Sequence, residues 1–431
     1  MPVAIGQVGH VMFGVVDSLM VGSLGKDPLA AASLVNGIVI LILILGLGMS
    51  LAATPLIGIA KGKKNNDECG IILRQSLIVN GVFSILLSLL LFFASYFLEL
   101  LNQPYEVTLM ADSYMRIISA SIIPFMIFQT YRQFVEGLSF TKPAMYITLA
   151  ANLINVLGNW IFIHGNLGMP ALGLDGAGYS TFLTRGFMAV LMMYFVMNSP
   201  RFKEYDPTLK FRSINWEMIH KIIKLGFPIG VAFFFEVGAF SASAVIIGWL
   251  GSAQLAAHQI AISIASISFM FIVGIATAST IRVSTKMGEE KFIEMKRAGL
   301  SAFALASIFM AFSAILFILL KDFLPTLFIS DNEVIPIASS LIVIGALFQI
   351  SDGIQAVGLG VLRGLTDVKV PMLITFTAYW VIGLPAGGYF AFIMKMGAVG
   401  VWIGLLIGLS VAALVLTIRF SIKSNRIKNE H

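Results

Sequence analysis

Residues 22–33 read GSLGKDPLAAAS and residues 248–259 read GWLGSAQLAAHQ, so both fit G-x-L-G-x-x-x-L-A-A at an offset of 226 residues. The same offset continues without a gap to Gly62 and Gly288. Farther on, an offset of 227 relates the sequence at 137–139 to that at 364–366. Small residues coincide often in apolar sequences, but a register held over more than a hundred residues indicates an internal duplication. The chain is therefore predicted to contain two copies of one structural unit.

Both copies are strongly apolar. The 431 residues are 58% hydrophobic and 12% charged, whereas soluble proteins carry about 25% charged residues. Apolar runs between polar breaks predict twelve helices long enough to cross a bilayer. They cover residues 2–22, 30–59, 70–101, 106–138, 143–164, 173–198, 219–249, 254–284, 292–320, 334–362, 370–394 and 398–421. The sequence therefore predicts an all-α, polytopic membrane protein.

The positions of the basic residues predict the orientation in the membrane. With the N-terminus in the cytoplasm, the inner connectors and the C-terminal tail hold 22 of the 28 Lys and Arg residues, and the outer connectors hold 3. Basic residues accumulate in loops that face the cytoplasm, so both termini are predicted to be cytoplasmic. This bias explains the net charge of +6 without a nucleic-acid partner.

The longest polar stretch is residues 199–218, which contain Arg201, Lys203, Lys210 and Arg212. It predicts an N-lobe of six helices over residues 1–198, a cytoplasmic connector over 199–218, and a C-lobe over 219–431. Because each lobe has an even number of spans, we expect a pseudo-twofold axis along the membrane normal. Such repeats are typical of transporters that bind substrate near the midplane, and the duplication favours a functional monomer.

Three carboxylates interrupt apolar spans: Asp17, Glu236 and Asp352. A charge at the centre of a membrane helix costs at least ~2.5–3.5 kcal/mol, so an intramembrane acid indicates a functional site. The alternative is that each acid only caps or hydrogen-bonds a neighbouring helix. We predict that these acids carry a coupling ion.

Polar neighbours in the sequence strengthen both candidate sites. Asn155 and Asn159 are four residues apart and share one helix face. Amide oxygens beside a carboxylate suit Na⁺, or they could tune a proton-accepting Asp17; interhelical hydrogen bonding is the alternative. In the second half, Gln349 and Gln355 flank Asp352.

A few basic residues lie within the apolar spans rather than in the connectors. Arg132 and Glu136, and likewise Asp112 and Arg116, are four residues apart and are predicted to form internal ion pairs. Arg185 has no partner nearby in the sequence.

Several enzyme motifs are missing. No G-x-x-x-x-G-K-[ST], H-E-x-x-H or G-x-S-x-G motif occurs, which argues against ATP-driven transport by this chain and against the common hydrolases. The single cysteine, Cys69, excludes an intramolecular disulfide and a Cys-based metal cluster. We therefore expect no nucleotide, no cofactor and no enzymatic activity.

The segments VVDSLMVGSLG (15–25), QTYRQFVEGLSFTKPAM (129–145), FPIGVAFFFEV (227–237) and GVLRGLTDVKVPM (360–372) resemble the multidrug and toxic compound extrusion (MATE) family, in its NorM-like bacterial branch. The resemblance runs over essentially the whole chain. It implies a two-lobed, twelve-helix transporter of the bacterial cytoplasmic (inner) membrane. Such proteins export small hydrophobic, often cationic drugs in exchange for Na⁺ or H⁺.

The resemblance also implies roles for particular residues. Asp17 takes the place of the family's first-helix acid, with Asn155 and Asn159 as its amide neighbours. Glu236 and Asp352 take the places of the C-lobe acids that bind the cation. Phe269 stands where some members have a tyrosine. The secondary candidates are Gln349, Gln355, Phe269, Gln129 and Gln133.

The wider superfamily contains a second function, the flipping of lipid-linked precursors. A polyanionic headgroup would need several basic residues facing the cavity. Apart from the arginines counted with the cytoplasmic connectors, only Arg116, Arg132 and Arg185 are available within the spans, so the sequence favours drug export.

Overall fold

The computed structural model describes residues 2–208 and 214–430; residues 209–213, with Lys210 and Arg212 of the predicted connector, lie outside the described part. The described chain has twelve helices that are long and apolar enough to cross a membrane, which confirms the predicted number. They are α1 (Pro2–Gly22), α2 (Lys26–Gly62), α3 (Asn66–Ser95), α4 (Tyr105–Gly137), α5 (Lys142–His164), α6 (Gly173–Asn198), α7 (Trp216–Gly248), α8 (Ser252–Gly288), α9 (Phe292–Leu320), α10 (Val334–Gly364), α11 (Lys369–Ile393) and α12 (Gly397–Asn429).

The ends of the helices follow local chemistry. The Asn65 side chain accepts a hydrogen bond from the backbone N–H of Glu68 at 3.2 Å, so α3 begins earlier than its apolar run. The predicted third span runs to residue 101, but its last turn is a separate 3₁₀-helix, Leu98–Leu101. A second 3₁₀-helix, Pro200–Tyr205, follows α6.

Two of the spans are irregular. A break at Ala52 divides α2 into the segments Lys26–Leu51 and Ala53–Gly62. In α11, the stretches Thr377–Gly383 and Tyr389–Ile393 are π-helical. Pro385 lies between them and has no N–H to donate, which explains why a regular α-helix is not kept here. Apolar periodicity carries no signal for such a change.

The backbone of the turns repeats in the two halves. Gly25 and Gly251, which precede α2 and α8, have φ angles of 120° and 118°. The turn residues Lys64 and Glu290 both have a φ of 58°. Each pair is 226 residues apart, so the duplication seen in the sequence extends to the left-handed turns. Glycine suits φ near 120° because a side chain would clash there.

The chain divides into two compact units, Pro2–Gly230 and Val231–His431. The boundary lies within α7, just after Pro228. The first unit has an apolar core around Tyr114 and Met126. In the second unit, one apolar cluster surrounds Trp402 and another surrounds the residues near Met310.

Glycines bring α11 and α12 into backbone contact. A Cβ placed on Gly404 would meet the backbone of Gly387, and one on Gly408 would meet the carbonyl of Ala378. Close approach through small residues is how membrane helices gain packing energy without a hydrophobic driving force. This contact positions α11 beside the polar residues Glu236 and Asp352.

Candidate functional site

The first polar cluster lies where α1, α5 and α6 meet. Asp17 of α1 is half-buried, and its carboxylate accepts a hydrogen bond from Asn159 Nδ2 at 2.6 Å and one from Thr181 Oγ1 at 3.3 Å. Asn159 Nδ2 also lies 3.5 Å from Asn155 Oδ1. The structure therefore brings together the three residues that the sequence pattern grouped, and it adds Thr181.

The two asparagines are fully buried and only partly satisfied. Both are 0% exposed, yet Asn155 Nδ2 and Asn159 Oδ1 have no hydrogen-bond partner among the residues that the structure describes. Buried polar atoms are normally paired, so unpaired ones call for an explanation such as an ion or water. Because an amide can turn by 180°, Asn159 can present either an oxygen or an N–H to the Asp17 carboxylate. The cluster can thus surround a cation with oxygens or hold a carboxylate with donors.

Arg185 of α6 balances the charge of Asp17 from a distance. Its Nη1 donates to Ser121 Oγ at 2.7 Å, and its guanidinium carbon lies 4.9 Å from the centroid of the Phe125 ring. It interacts electrostatically with Asp17, and within the described chain it forms no ion pair. The carboxylate is therefore stabilised by a positive field but is not locked to a cation.

The second polar cluster lies in the C-terminal unit. Glu236 of α7 is 6% exposed and Asp352 of α10 is 7% exposed, and the two carboxyls interact electrostatically. Gln355 interacts with Glu236, although its buried Nε2 has no hydrogen-bond partner within the described residues. Tyr379 of α11 donates its hydroxyl to Gln355 Oε1 at 3.2 Å. The structure therefore brings Glu236, Asp352 and Gln355 together and adds Tyr379.

Arg363 is the basic residue of this cluster. It is 8% exposed, and its guanidinium carbon lies 5.4 Å from the centroid of the Phe233 ring. It attracts Glu236 electrostatically, but no ion pair joins it to any acid in the part of the chain that the structure describes. Two buried carboxyls with one distant arginine leave an unbalanced negative charge, and a bound cation or proton would remove it.

The other predicted residues have different neighbours. Gln349 exchanges hydrogen bonds with Ser268 at 2.7 and 3.0 Å, and Gln133 accepts one from Thr54 at 2.7 Å. Gln129 Oε1 is buried without a hydrogen-bond partner among the described residues, and Phe269 packs on the apolar cluster that contains Met310. Within the described residues, no hydrogen bond joins these side chains to the three acids.

Neither cluster is a multidentate metal centre. The described part of the chain has no group of three or more His, Cys, Asp or Glu side chains arranged to hold a metal ion.

The sequence profile of the MatE family matches this chain twice, at residues 2–161 and at residues 228–388. The two matches begin 226 residues apart, which is the offset of the repeat, and together they cover more than half of the 431 residues. The chain belongs to the MatE family. This confirms the resemblance to the multidrug and toxic compound extrusion proteins.

Relatives match almost the full length of this MatE chain. The multidrug resistance protein NorM of Vibrio vulnificus is 33% identical over 422 residues, which is 97% of this chain and 92% of the relative. The multidrug resistance protein MdtK of Yersinia pseudotuberculosis is 32% identical over 423 residues, 97% and 93% of the two chains. A MATE structure in a bent conformation superimposes with a TM-score of 0.91 at 20% identity, over 100% of this chain and 95% of that one. This similarity establishes the two-lobed fold.

The MatE repeat points to one residue that no single motif reveals. His10 is 226 residues before Glu236, and Phe125 and Phe128 are each 227 residues before Asp352 and Gln355. The His10 ring lies 6.0 Å from the Phe125 ring and 6.2 Å from the Phe128 ring. At the positions equivalent to the second cluster, the N-terminal unit therefore has aromatic rings and no acid. The acid of this unit, Asp17, lies elsewhere on α1. Aligning the two halves would have revealed this difference.

Proposed function

We propose that this MatE protein is a secondary active transporter that exports small, hydrophobic, mostly cationic organic compounds in exchange for Na⁺ or H⁺. Transport proceeds by alternating access, in which the binding region opens to one side of the membrane at a time. No nucleotide and no cofactor takes part, and the coupling ion is the only inorganic ligand. The active species is the monomer, since one chain contains both repeats.

The observation that carries this proposal is the state of the three intramembrane acids. Asp17, Glu236 and Asp352 lie in polar clusters, and none of them forms an ion pair within the described chain. A permanently paired carboxylate would have only a structural role. An unpaired buried charge is costly until a counter-charge arrives, so a cation or a cationic drug gains binding energy at these positions.

Coupling requires that the ion and the drug prefer different conformations. Loading of Asp17, or of the pair Glu236 and Asp352, from the outside favours the conformation that releases the drug. A ligand shifts such an equilibrium only by its difference in affinity for the two states. The coupling is reciprocal, so drug binding from the cytoplasm lowers the affinity for the ion by the same factor.

The intramembrane arginines argue against lipid-linked precursors as the cargo. Arg116 pairs with Asp112 and Arg132 pairs with Glu136, each at 2.7 Å, as the sequence predicts. Arg185 is held by Ser121 and the Phe125 ring. These three are engaged, and the further buried arginine, Arg363, lies over the Phe233 ring and interacts with Glu236. A polyanionic headgroup would therefore have to displace existing contacts.

The distribution of basic residues and the bacterial relatives support a place in the bacterial cytoplasmic membrane with both termini inside. In that orientation the connector of residues 199–218 is cytoplasmic. Export then moves drugs from the cytoplasm, or from the inner leaflet, to the outside.

The test is drug efflux from proteoliposomes under imposed gradients. Purified protein is reconstituted, loaded with a fluorescent cationic dye, and exposed separately to an inward Na⁺ gradient and an inward proton gradient. We expect at least one gradient to drive dye efflux above the rate in protein-free liposomes. A lack of response to both gradients, with folded and inserted protein, would contradict antiport.

A further inference from the structure

A cavity of about 650 Å³ lies in the N-terminal unit, and none of the three acids is among its lining residues. Its wall consists of Pro2 at the start of α1, the loop and first turns of α5, the last turns of α6, and one residue of the following 3₁₀-helix. Its lining residues are Pro2, Ser139, Phe140, Thr141, Lys142, Pro143, Tyr146, Ile147, Leu191, Phe195 and Arg201. Since α1, α5 and α6 all begin or end here, the cavity lies where the bilayer meets water.

The lining has two chemically distinct parts. Lys142 and Arg201 are exposed basic residues, and neither has an ion-pair partner in the part of the chain that the structure describes. No acidic residue lines the cavity. The remaining wall is mostly apolar, with Tyr146 61% exposed and Leu191 and Phe195 half-buried. The cavity therefore combines an anion-binding rim with a groove for hydrocarbon.

The basic rim is held in place by its neighbours. Phe202, beside Arg201, is fully buried, and its ring lies 5.4 Å from the ring of Phe140 and 5.7 Å from that of Phe195. Lys142 is fixed by Pro143, which occupies the first turn of α5. The two cations are therefore carried by ordered backbone.

We propose that this cavity binds an anionic phospholipid of the cytoplasmic leaflet. The phosphate lies between Lys142 and Arg201, and an acyl chain follows Tyr146, Leu191 and Phe195 down the helices. Basic pockets between membrane helices on the cytoplasmic side are suited to such headgroups. Cationic drugs fit this cavity poorly, because two unpaired positive charges would repel them.

The lipid would join the helices that carry the first polar cluster. Asp17 is on α1, Asn159 on α5 and Thr181 on α6, and these three helices contact one another. A lipid bound at their shared end stabilises one packing of the three helices. Anionic lipid therefore raises the stability of the N-terminal unit.

The experiment measures binding of phosphatidylglycerol to the purified full-length protein by native mass spectrometry and thermal unfolding, with phosphatidylcholine as the zwitterionic comparison. The test variant is Lys142→Gln with Arg201→Gln. The matched control is Lys63→Gln with Lys203→Gln, which removes two exposed cations of the same region that do not line the cavity. We expect about 30-fold weaker phosphatidylglycerol binding in the test variant, equivalent to ~2 kcal/mol, and little change in the control.

A second variant, Leu191→Trp, keeps both charges and fills the groove. We expect it to weaken phosphatidylglycerol binding as well and to remove the rise in unfolding temperature that the lipid causes. Equal losses in the test and control pairs would overturn the proposal in favour of diffuse attraction. If glycerol 3-phosphate competes as effectively as the lipid, the proposed binding of an acyl chain in the groove is wrong. If the variants lose ethidium binding instead of lipid binding, the cavity binds a drug and not a lipid.

Discussion

Replacing Asp17 by asparagine removes the charge of the first cluster and keeps the shape of the side chain. The carboxylate accepts hydrogen bonds from Asn159 and Thr181 at 2.6 and 3.3 Å, and hydrogen bonds to a charged group contribute about 1.5–3 kcal/mol each. The weakening of these hydrogen bonds is offset, because the substitution also removes a charge that costs at least ~2.5–3.5 kcal/mol within the membrane. The amide oxygen introduced by Asp17→Asn can still accept a hydrogen bond from Asn159, so we expect the variant to fold with a stability within about 1 kcal/mol of the wild type.

Transport should respond differently from stability. Coupling free energies between two ligands are typically 1–3 kcal/mol, or about 5–150-fold in affinity. If Asp17 binds the ion, Asp17→Asn should reduce gradient-driven drug uptake into everted vesicles by at least about 5-fold. Uptake without a gradient should change little.

The control is Asp175→Asn, the same change at a carboxylate that accepts a hydrogen bond from Ser113 Oγ at 2.7 Å near the start of α6. It should keep full gradient-driven uptake. Thermal unfolding and expression are measured for both variants. Wild-type coupling in folded Asp17→Asn protein would refute the reasoning for the first cluster.

Glu236→Gln and Asp352→Asn should each reduce ion-dependent efflux from proteoliposomes with little loss of folded protein. Glu333→Gln, at an exposed site, serves as the control. Full coupling in both test variants would exclude the second cluster as the site of the coupling ion. Arg132→Gln should lower the free energy of unfolding by about 3–5 kcal/mol, because it leaves Glu136 charged and buried at 2% exposure. Adding Glu136→Gln should recover much of this loss in thermal unfolding, and a double variant as unstable as the single one would contradict the ion-pair explanation. Gly404→Ala should destabilise by about 1–3 kcal/mol, because its Cβ meets the Gly387 backbone. The control is Gly186→Ala, where a Cβ meets nothing within 4 Å, and it should be neutral or stabilising. Equal unfolding temperatures for Gly404→Ala and Gly186→Ala would show that α11 and α12 do not need the close contact at Gly404.

Much of the fold could be predicted because the bilayer restricts the choices. Only helices and closed barrels satisfy the backbone in hydrocarbon, so apolar runs separated by polar residues predict spans directly. The repeat predicted two copies of one structural unit, and Gly25 and Gly251, which precede equivalent helices, have nearly the same φ. The irregular α11 could not be foreseen, since its π-helical stretches depend on Pro385 and on packing against α12.

The candidate sites were partly predictable for a similar reason. Charge within an apolar span is expensive and therefore conspicuous, which identified Asp17, Glu236 and Asp352. Thr181 and Tyr379 escaped notice because a hydroxyl costs little in a membrane helix and carries no signal alone. Only the contact between helices brings Thr181 to Asp17 and Tyr379 to Gln355.

The most direct test of the exchange itself is ion movement driven by the drug. Proteoliposomes loaded with ²²Na⁺ at a known starting pH and low buffer capacity are given a gradient of ethidium with no initial Na⁺ or proton gradient. The Na⁺ flux and the change in internal pH are recorded together. We predict that drug movement in one direction drives Na⁺ or H⁺ in the other, and that the combined variant Asp17→Asn with Glu236→Gln abolishes this flux. Drug movement at the wild-type rate with neither ion moving would contradict it.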